Sequence, residues 1–223
     1  MTGMTISEAV LGRRSIRAFS DRPVDLATLR RVMDKARWAP SGCNFQPWEA
    51  TILTGAPLRA LQEKMRDAAP QEPEEYAITP AGLTPPYAER LHQLGAKLYG
   101  SQDIARDDRA MRDAFMARNI TSFDAPALLL CHFPRFMGPP QWSDVGMWLQ
   151  SVMLLLREEG LESCPQEFMA LYARLIKAHI GVDDATHIFF CGIAIGYADL
   201  DAMVNGFPRD RVPLDDQVRF VGF

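Results

Sequence analysis

At 223 residues, with 48% apolar and 23% charged residues, the chain suits one globular domain with a full core. Its 24 Lys and Arg against 28 Asp and Glu give a formal charge of −4, which argues against a general nucleic-acid or membrane-surface binder. No basic-then-apolar leader opens the sequence and no run approaches the roughly 18–20 apolar residues of a membrane span, so the cytoplasm is the expected location.

Taken in chain order, Thr5 with Glu8 makes a capping box that opens a short helix to about Leu11. That helix delivers the chain into Arg13-Arg14-Ser15-Ile16-Arg17. Asp25 caps a second helix whose Leu26, Leu29, Val32, Met33 and Ala36 form one apolar face, and Pro40 stops it. Trp48–Thr54 reads as a strand and Leu58–Met65 as a helix. Between 70 and 86, Pro70, Pro73, Pro80, Pro85 and Pro86 crowd in with Glu72, Glu74 and Glu75. An excursion of this length is either a substrate cover or a variable surface insertion. Helices follow over Tyr87–Tyr99 and Asp107–Asn119, then a buried strand over Ala127–Phe133.

Ser143–Glu159 is a helix apolar on almost every side, which is the core of one domain or the seam of a dimer; Gly160 ends it. Gln166–His179 is amphipathic and helical, and His187–Ile195 is a strand in which Gly192, with Gly196 just after, allows close backbone approach. The tail Gln217–Phe223 is apolar to its last residue and is expected to dock as a strand, on its own sheet or a partner's. Interspersed strands and helices make the class mixed α and β, as a single domain over 1–223 with 66–120 as its most variable part.

Chemistry is concentrated in three segments. The first is the pair of arginine clusters, Arg13-Arg14-Ser15-x-Arg17 near the start and Arg209-Asp210-Arg211 near the end, in a chain that is acidic overall. Guanidinium forks and one hydroxyl suit a phosphate. Neither G-x-G-x-x-G nor G-x-x-x-x-G-K-[ST] occurs, so side chains rather than a Gly-rich loop are expected to hold it. The second is Ala39-Pro40-Ser41-Gly42-Cys43-Asn44-Phe45-Gln46-Pro47-Trp48, a loop by composition. Its carboxamides offer the donor-and-acceptor edge that matches a heterocycle such as a flavin pyrimidine; the plainer reading is that Asn44 and Ser41 satisfy turn backbone. The third is Leu161-Glu162-Ser163-Cys164-Pro165-Gln166-Glu167. Cys164 lacks a nearby His or other base, so it is not expected to be a nucleophile. Cys43, Cys131, Cys164 and Cys191 show no C-x-x-C and no zinc spacing, and neither disulfides nor a metal site are expected.

The order of these motifs, with Asp144-x-Gly146-x-x-x-Gln150, Gly196-Tyr197 and Arg211-x-Pro213-Leu214-Asp215 between and after them, resembles the nitroreductase family of FMN-dependent oxidoreductases. The resemblance runs from about Ser7 to Phe223 and is poorest over 66–120. It implies an α+β fold with a central, mostly antiparallel sheet flanked by helices. It also implies a homodimer with FMN at the subunit interface and the C-terminal segment exchanged onto the partner.

By position, Arg13 and Ser15 match contacts to the FMN phosphate and ribityl chain, and Arg209 and Arg211 match the cations that close on the phosphate. Arg14 matches a position near the ribityl chain, and Arg17 the cation at the flavin N1–O2 edge. Pro40, Ser41 and Asn44 match the loop brought to the ring by the partner, with Gln46 in the same loop. Pro165, Gln166 and Glu167 match the segment along N5–O4, and Gln150 is carried over from the helix. The implied activity is ping-pong transfer of electrons from NAD(P)H through FMN to a nitroaromatic or quinone-like acceptor, with no side chain as catalytic acid or base. The turn Gly138-Pro139-Pro140-Gln141-Trp142 and the Pro-rich excursion are similar to the longer branch that includes nitrobenzoate reductases. Trp142, Phe115, Phe123, Tyr87 and Arg118 are candidate linings for a small planar aromatic substrate, with core packing as the alternative for the aromatics. Rival readings are reductive dehalogenation on the same fold and a flavin-binding protein without turnover.

Overall fold

The most continuously apolar segments of the sequence occupy the middle of the sheet. In the computed structural model, which describes residues 3–223, β1 (Glu49–Thr54), β2 (Ala127–Pro134), β3 (Glu162–Gln166) and β4 (His187–Gly196) form one antiparallel sheet in the order β1-β2-β4-β3. β2 and β4 are covered on both faces, which is why they read as apolar runs rather than as alternating patterns. One face packs Leu129, Cys131 and Phe133 against α2 (Leu26–Ala36) and α6 (Pro139–Glu158). The other packs Leu128, Leu130 and Phe189 against α3 (Gly55–Arg66), a 3-10 turn (Glu167–Tyr172) and α7 (Ala173–Ile180).

Local signals place the first helices. The Thr5 hydroxyl accepts from Glu8 N at 3.2 Å and the Glu8 carboxylate accepts from Thr5 N at 2.7 Å, fixing the start of α1 (Ile6–Gly12). Asp25 accepts from Thr28 N at 2.8 Å at the head of α2. Gly196 has no room for a side chain, since a Cβ there would stand 2.7 Å from the Pro126 ring.

Tertiary context overrode the sequence reading at several places. α6 begins at Pro139 rather than Ser143: Pro139 sits at the first helical position, and Gln141 Oε1 accepts from Gly138 N at 3.1 Å. β3 went unread because Glu-Ser-Cys-Pro-Gln has no strand pattern. Pro165 is tolerated there because β3 is an edge strand. The helix expected over Gln166–His179 is instead the end of β3, the 3-10 turn and α7. The tail Gln217–Phe223 joins no strand of its own sheet and is exposed throughout. α6 is not buried on every side: Val145, Trp148, Leu149, Val152 and Leu156 face the core, while Gly146 and Met147 are exposed and Gln150 and Leu154 half-covered.

The excursion divides in two. Residues 71–76 are strapped down: Gln71 N donates to Leu171 O at 2.7 Å, and Tyr76 Oη donates to Phe190 O at 2.5 Å. α4 (Tyr87–Gly100) buries no residue fully: Tyr87, Leu91 and Leu94 are exposed, and only its last turn, through Leu98 and Tyr99, packs on the body. α5 (Arg109–Ala117) returns the chain to the core through Phe115. After β4, the short α8 (Met203–Gly206) leads to the C-terminal arginines.

Candidate functional site

The arginine clusters at the two ends of the chain meet at the C-terminal end of α6. Ser15 bridges to Ser163 on β3, and Ile16 N donates to Ser163 O at 3.0 Å, so the N-terminal cluster lies along that sheet edge. Arg14 donates to Asn205 O at 2.5 Å and to Phe207 O at 3.1 Å. Asn205 accepts from Arg17 N at 2.7 Å and donates to Ala18 O at 2.8 Å. Arg209 in turn donates to Leu11 O. Backbone carbonyls thus draw the two clusters together without consuming their charge.

The electrostatics record the crowding. Burial, then the charge of Arg211, pulls the Arg13 guanidinium below its ordinary value. Burial, then Arg14, Arg211, Arg13 and Arg157, does the same to Arg209. Glu162 is the carboxylate among them, and burial pushes it up toward its neutral form against the pull of Arg157, Arg13, Arg14 and Arg209. A cluster in which several guanidinium groups share the carboxylate of Glu162 suits a bound anion.

Arg157 is a member of this cluster that the sequence reading missed. Its only signal was a basic residue in the last turn of an apolar helix, the ordinary complement to a helix dipole. Its Nε lies 3.2 Å from Glu162 Oε1, an ion pair without hydrogen-bond alignment. Its guanidinium fills the space over Gly12, where a Cβ would stand 2.0 Å from Nη1. Ser15, Arg17 and Arg13 neighbour Cys164, whose thiol burial pushes up to about 11, so it stays protonated at neutral pH.

The carboxamide loop is a different kind of structure. It is tied to the N-terminal half of α6, where the buried Asp144 carboxylate accepts from Gly42 N at 3.1 Å. Cys43, Asn44 and Gln46 have φ of 52°, 57° and 50°, a left-handed conformation that costs non-glycine residues energy. Ser41 Oγ accepts from Gln46 N at 3.0 Å, and Gln46 Nε2 donates to Asn44 O at 3.1 Å, so both side chains serve the turn itself. The Asn44 carboxamide has no partner among the described residues, and Pro40, Asn44 and Gln46 are exposed.

The third segment and the proposed linings divide sharply. Pro165 is exposed on β3, and Glu167 opens the 3-10 turn. The Gln166 side chain is buried and donates to Asn119 O at 3.0 Å and Asn119 Oδ1 at 3.1 Å, so it faces inward, with its Oε1 left unpartnered. Trp142 packs edge-on to Phe133 at 4.9 Å and Phe190 at 5.4 Å, while Phe115 packs edge-on to Tyr99 at 5.9 Å. Phe123 is buried as well. Phe115 and Phe123 are therefore core, while Trp142 is half-buried at the margin of the core. Tyr87 stays exposed, and Arg118 donates to Arg17 O at 3.0 Å, bracing the N-terminal cluster.

About 20 Å of helix separates Asp144 from Arg157 at 1.5 Å per residue. One chain therefore holds an anion cradle at one end of α6 and an unpartnered carboxamide loop at the other. The donor set fits a ligand with a phosphate and a polar-edged ring, which is the make-up of FMN. The buried, unpartnered Ser163 Oγ beside Ser15 marks further polar capacity at the cradle.

Comparisons with known proteins show the family. The model of the Nitroreductase family matches residues 10–197. A 4-nitrobenzoate reductase from Pseudomonas putida is 35% identical over 216 residues, covering 96% of this chain and 94% of that protein. The crystal structure of an FMN and NADPH-dependent nitroreductase NfnB from sphigopyxis sp. strain HMH superposes with a TM-score of 0.94 at 49% identity, covering 99% of this chain and 100% of that one. The FMN-dependent nitroreductase NfnB from Mycobacterium smegmatis, in complex with NADPH, superposes with a TM-score of 0.89 at 29% identity, covering 96% of each chain.

Proposed function

The chain belongs to the nitroreductase family and is an FMN- and NAD(P)H-dependent oxidoreductase, and on that premise we propose that it reduces a small nitroaromatic or quinone-like acceptor by a ping-pong sequence. Bound FMN supplies the chemistry by taking up a hydride from NAD(P)H and passing electrons to an acceptor that then occupies the same face. The observation that carries the reading is the convergence of Arg13, Arg14, Arg157 and Arg209 on the carboxylate of Glu162, with Arg211 beside Arg13 and Arg209.

In this reading Arg13, Arg209, Arg211 and Ser15 hold the phosphate. That group carries about −1.5 to −2 charge, and each charge-assisted bond contributes about 1.5–3 kcal/mol. Arg14, engaged by carbonyls, shapes the cradle and lends its charge. Arg17 places a cation beside the N1–O2 edge, where it favours added negative charge. Backbone from Pro165, Gln166 and Glu167 runs along the N5–O4 side. Pro40, Ser41, Asn44 and Gln46 reach the ring from a second copy of the chain, whose α6 lies against the stripe of Gly146, Met147, Gln150 and Leu154. The exposed Val218, Phe220, Val221 and Phe223 of the tail then cover the partner. We place this homodimer in the cytoplasm; no helix among the described residues is long and apolar enough to cross a membrane.

Anaerobic stopped-flow spectroscopy tests the reading. NADH or NADPH should bleach the bound flavin, and 4-nitrobenzoate or a quinone should restore its absorbance. Flavin that stays oxidised in excess nicotinamide would overturn it, and reoxidation only by a halotyrosine would move the activity to dehalogenation.

A further inference from the structure

Away from the flavin cradle, the sheet brings together three residues that no sequence spacing connects. Glu49 opens β1 and pairs directly with His132 on β2. His132 pairs with Phe189 on β4 after a bulge, and His187 lies two residues before Phe189, so all three side chains share one face of the sheet. One ligand atom from each falls within 4.8 Å of the others. His132 Nδ1 is 3.5 Å from Glu49 Oε2, and His187 Nε2 is 3.4 Å from Glu49 Oε1. Metal–ligand bonds of about 2.0–2.1 Å in a tetrahedron put neighbouring ligand atoms roughly 3.3–3.4 Å apart. Both separations match that spacing, each to a different carboxylate oxygen of Glu49, and the His187–Glu49 contact is also a long hydrogen bond.

Two further observations point the same way. His132 is 5% exposed, and its Nδ1 is buried with no hydrogen-bond partner. His187 has the outer support that metal-binding histidines use: Thr186 Oγ1 lies 2.9 Å from Nδ1 and 3.2 Å from Asp183 Oδ2. A proton on Nδ1 donated to that hydroxyl leaves the Nε2 lone pair facing Glu49. The nearby cations do not oppose an ion strongly. Lys177 is paired with Glu75 at 3.0 Å and Asp184 at 2.6 Å, and Arg135 with Glu75 at 2.9 Å.

We propose that Glu49, His132 and His187 bind a divalent ion of the zinc class. Two imidazoles and one carboxylate select Zn²⁺, Co²⁺ or Ni²⁺ over Mg²⁺ and Ca²⁺, and three protein ligands leave a position for water. Glu49 follows Trp48 at the end of the carboxamide loop. The ion fastens the base of that loop to the two central strands and leaves the flavin cradle untouched.

The test uses the FMN-loaded protein, treated with EDTA and desalted, and titrates Zn²⁺ by calorimetry, with Co²⁺ absorption as an optical probe of four-coordination. One Zn²⁺ per chain is expected, with the Co²⁺ spectrum of a tetrahedral site. His187→Gln and Glu49→Gln should each weaken binding by about tenfold or more, and Thr186→Ala by about tenfold through its support of His187. Flavin content, read from absorbance, reports that each variant is folded. Cys43→Ser, which removes the exposed thiol, should bind Zn²⁺ as the parent does. Absence of Zn²⁺ binding, unchanged binding by folded His187→Gln, or loss of binding in Cys43→Ser would each overturn the proposal. None of these readouts depends on turnover, so they stand apart from the test of the reductase reading.

Discussion

The two ends of α6 differ in how far a single chain completes them. At the C-terminal end, Arg14, Arg157 and Arg209 are positioned by carbonyls and by one carboxylate of their own chain. At the N-terminal end, the loop has left-handed residues, an unpartnered Asn44 carboxamide and an exposed Phe45, with Asp144 as its anchor to the helix. The first is assembled within one chain. The second is strained and open, tied to the other end of the helix by Asp144. In the proposed dimer the ring and phosphate of one flavin are held by different copies of the chain.

The strongest perturbation is to separate the copies. Met147→Asp puts a charge on the open stripe of α6, where pairing would desolvate it. The variant should run as a monomer in size-exclusion chromatography with light scattering and should emerge colourless. Arg13→Ala acts on the cradle alone. Loss of one charge-assisted contact, about 1.5–3 kcal/mol, should weaken FMN by about 10- to 150-fold in a fluorescence titration while the dimer persists. Asp144→Asn acts on the loop alone: it replaces a charge-assisted bond by a neutral one, about 1 kcal/mol, and should weaken FMN roughly fivefold.

The smallest effect separates the thiols of the two ends. At pH 8 iodoacetamide should label the exposed Cys43 and spare Cys164, as read by mass spectrometry. Cys164 is raised from 9.0 to about 11, so the folded chain keeps a proton that the unfolded chain releases. Its contribution to stability is therefore present below pH 9 and declines as pH climbs from 9 toward 11, which alkaline thermal melts of parent and Cys164→Ser would compare.

The cradle was legible because arginine clusters in an acidic chain are conspicuous, and because their order with the other motifs resembles a known family. Arg14 was legible as a cation but not as a latch, since its acceptors are the carbonyls of Asn205 and Phe207, distant in sequence and featureless in composition. Arg157 was hidden for the same reason: what makes it matter is the bare backbone of Gly12. β2 and β4 could be read from their apolar runs. β3 could not, because an edge strand with Pro165 is defined by its neighbour β4 rather than by its own pattern. Phe115 carries no mark in sequence that separates lining from core; its burial against Tyr99 makes it core. Glu49, His132 and His187 become neighbours only once strand register is fixed.

The most direct measurement co-expresses two differently tagged, inactive chains: Arg13→Ala with Arg211→Ala in one, and Ser41→Ala with Asn44→Ala and Gln46→Ala in the other. Each homodimer should have lost FMN. A site shared between copies predicts that the purified heterodimer regains one FMN per dimer, because one cradle and one loop are intact and face each other. A heterodimer that forms but stays free of FMN would show that cradle and loop of the same chain serve one flavin, and would contradict the shared site.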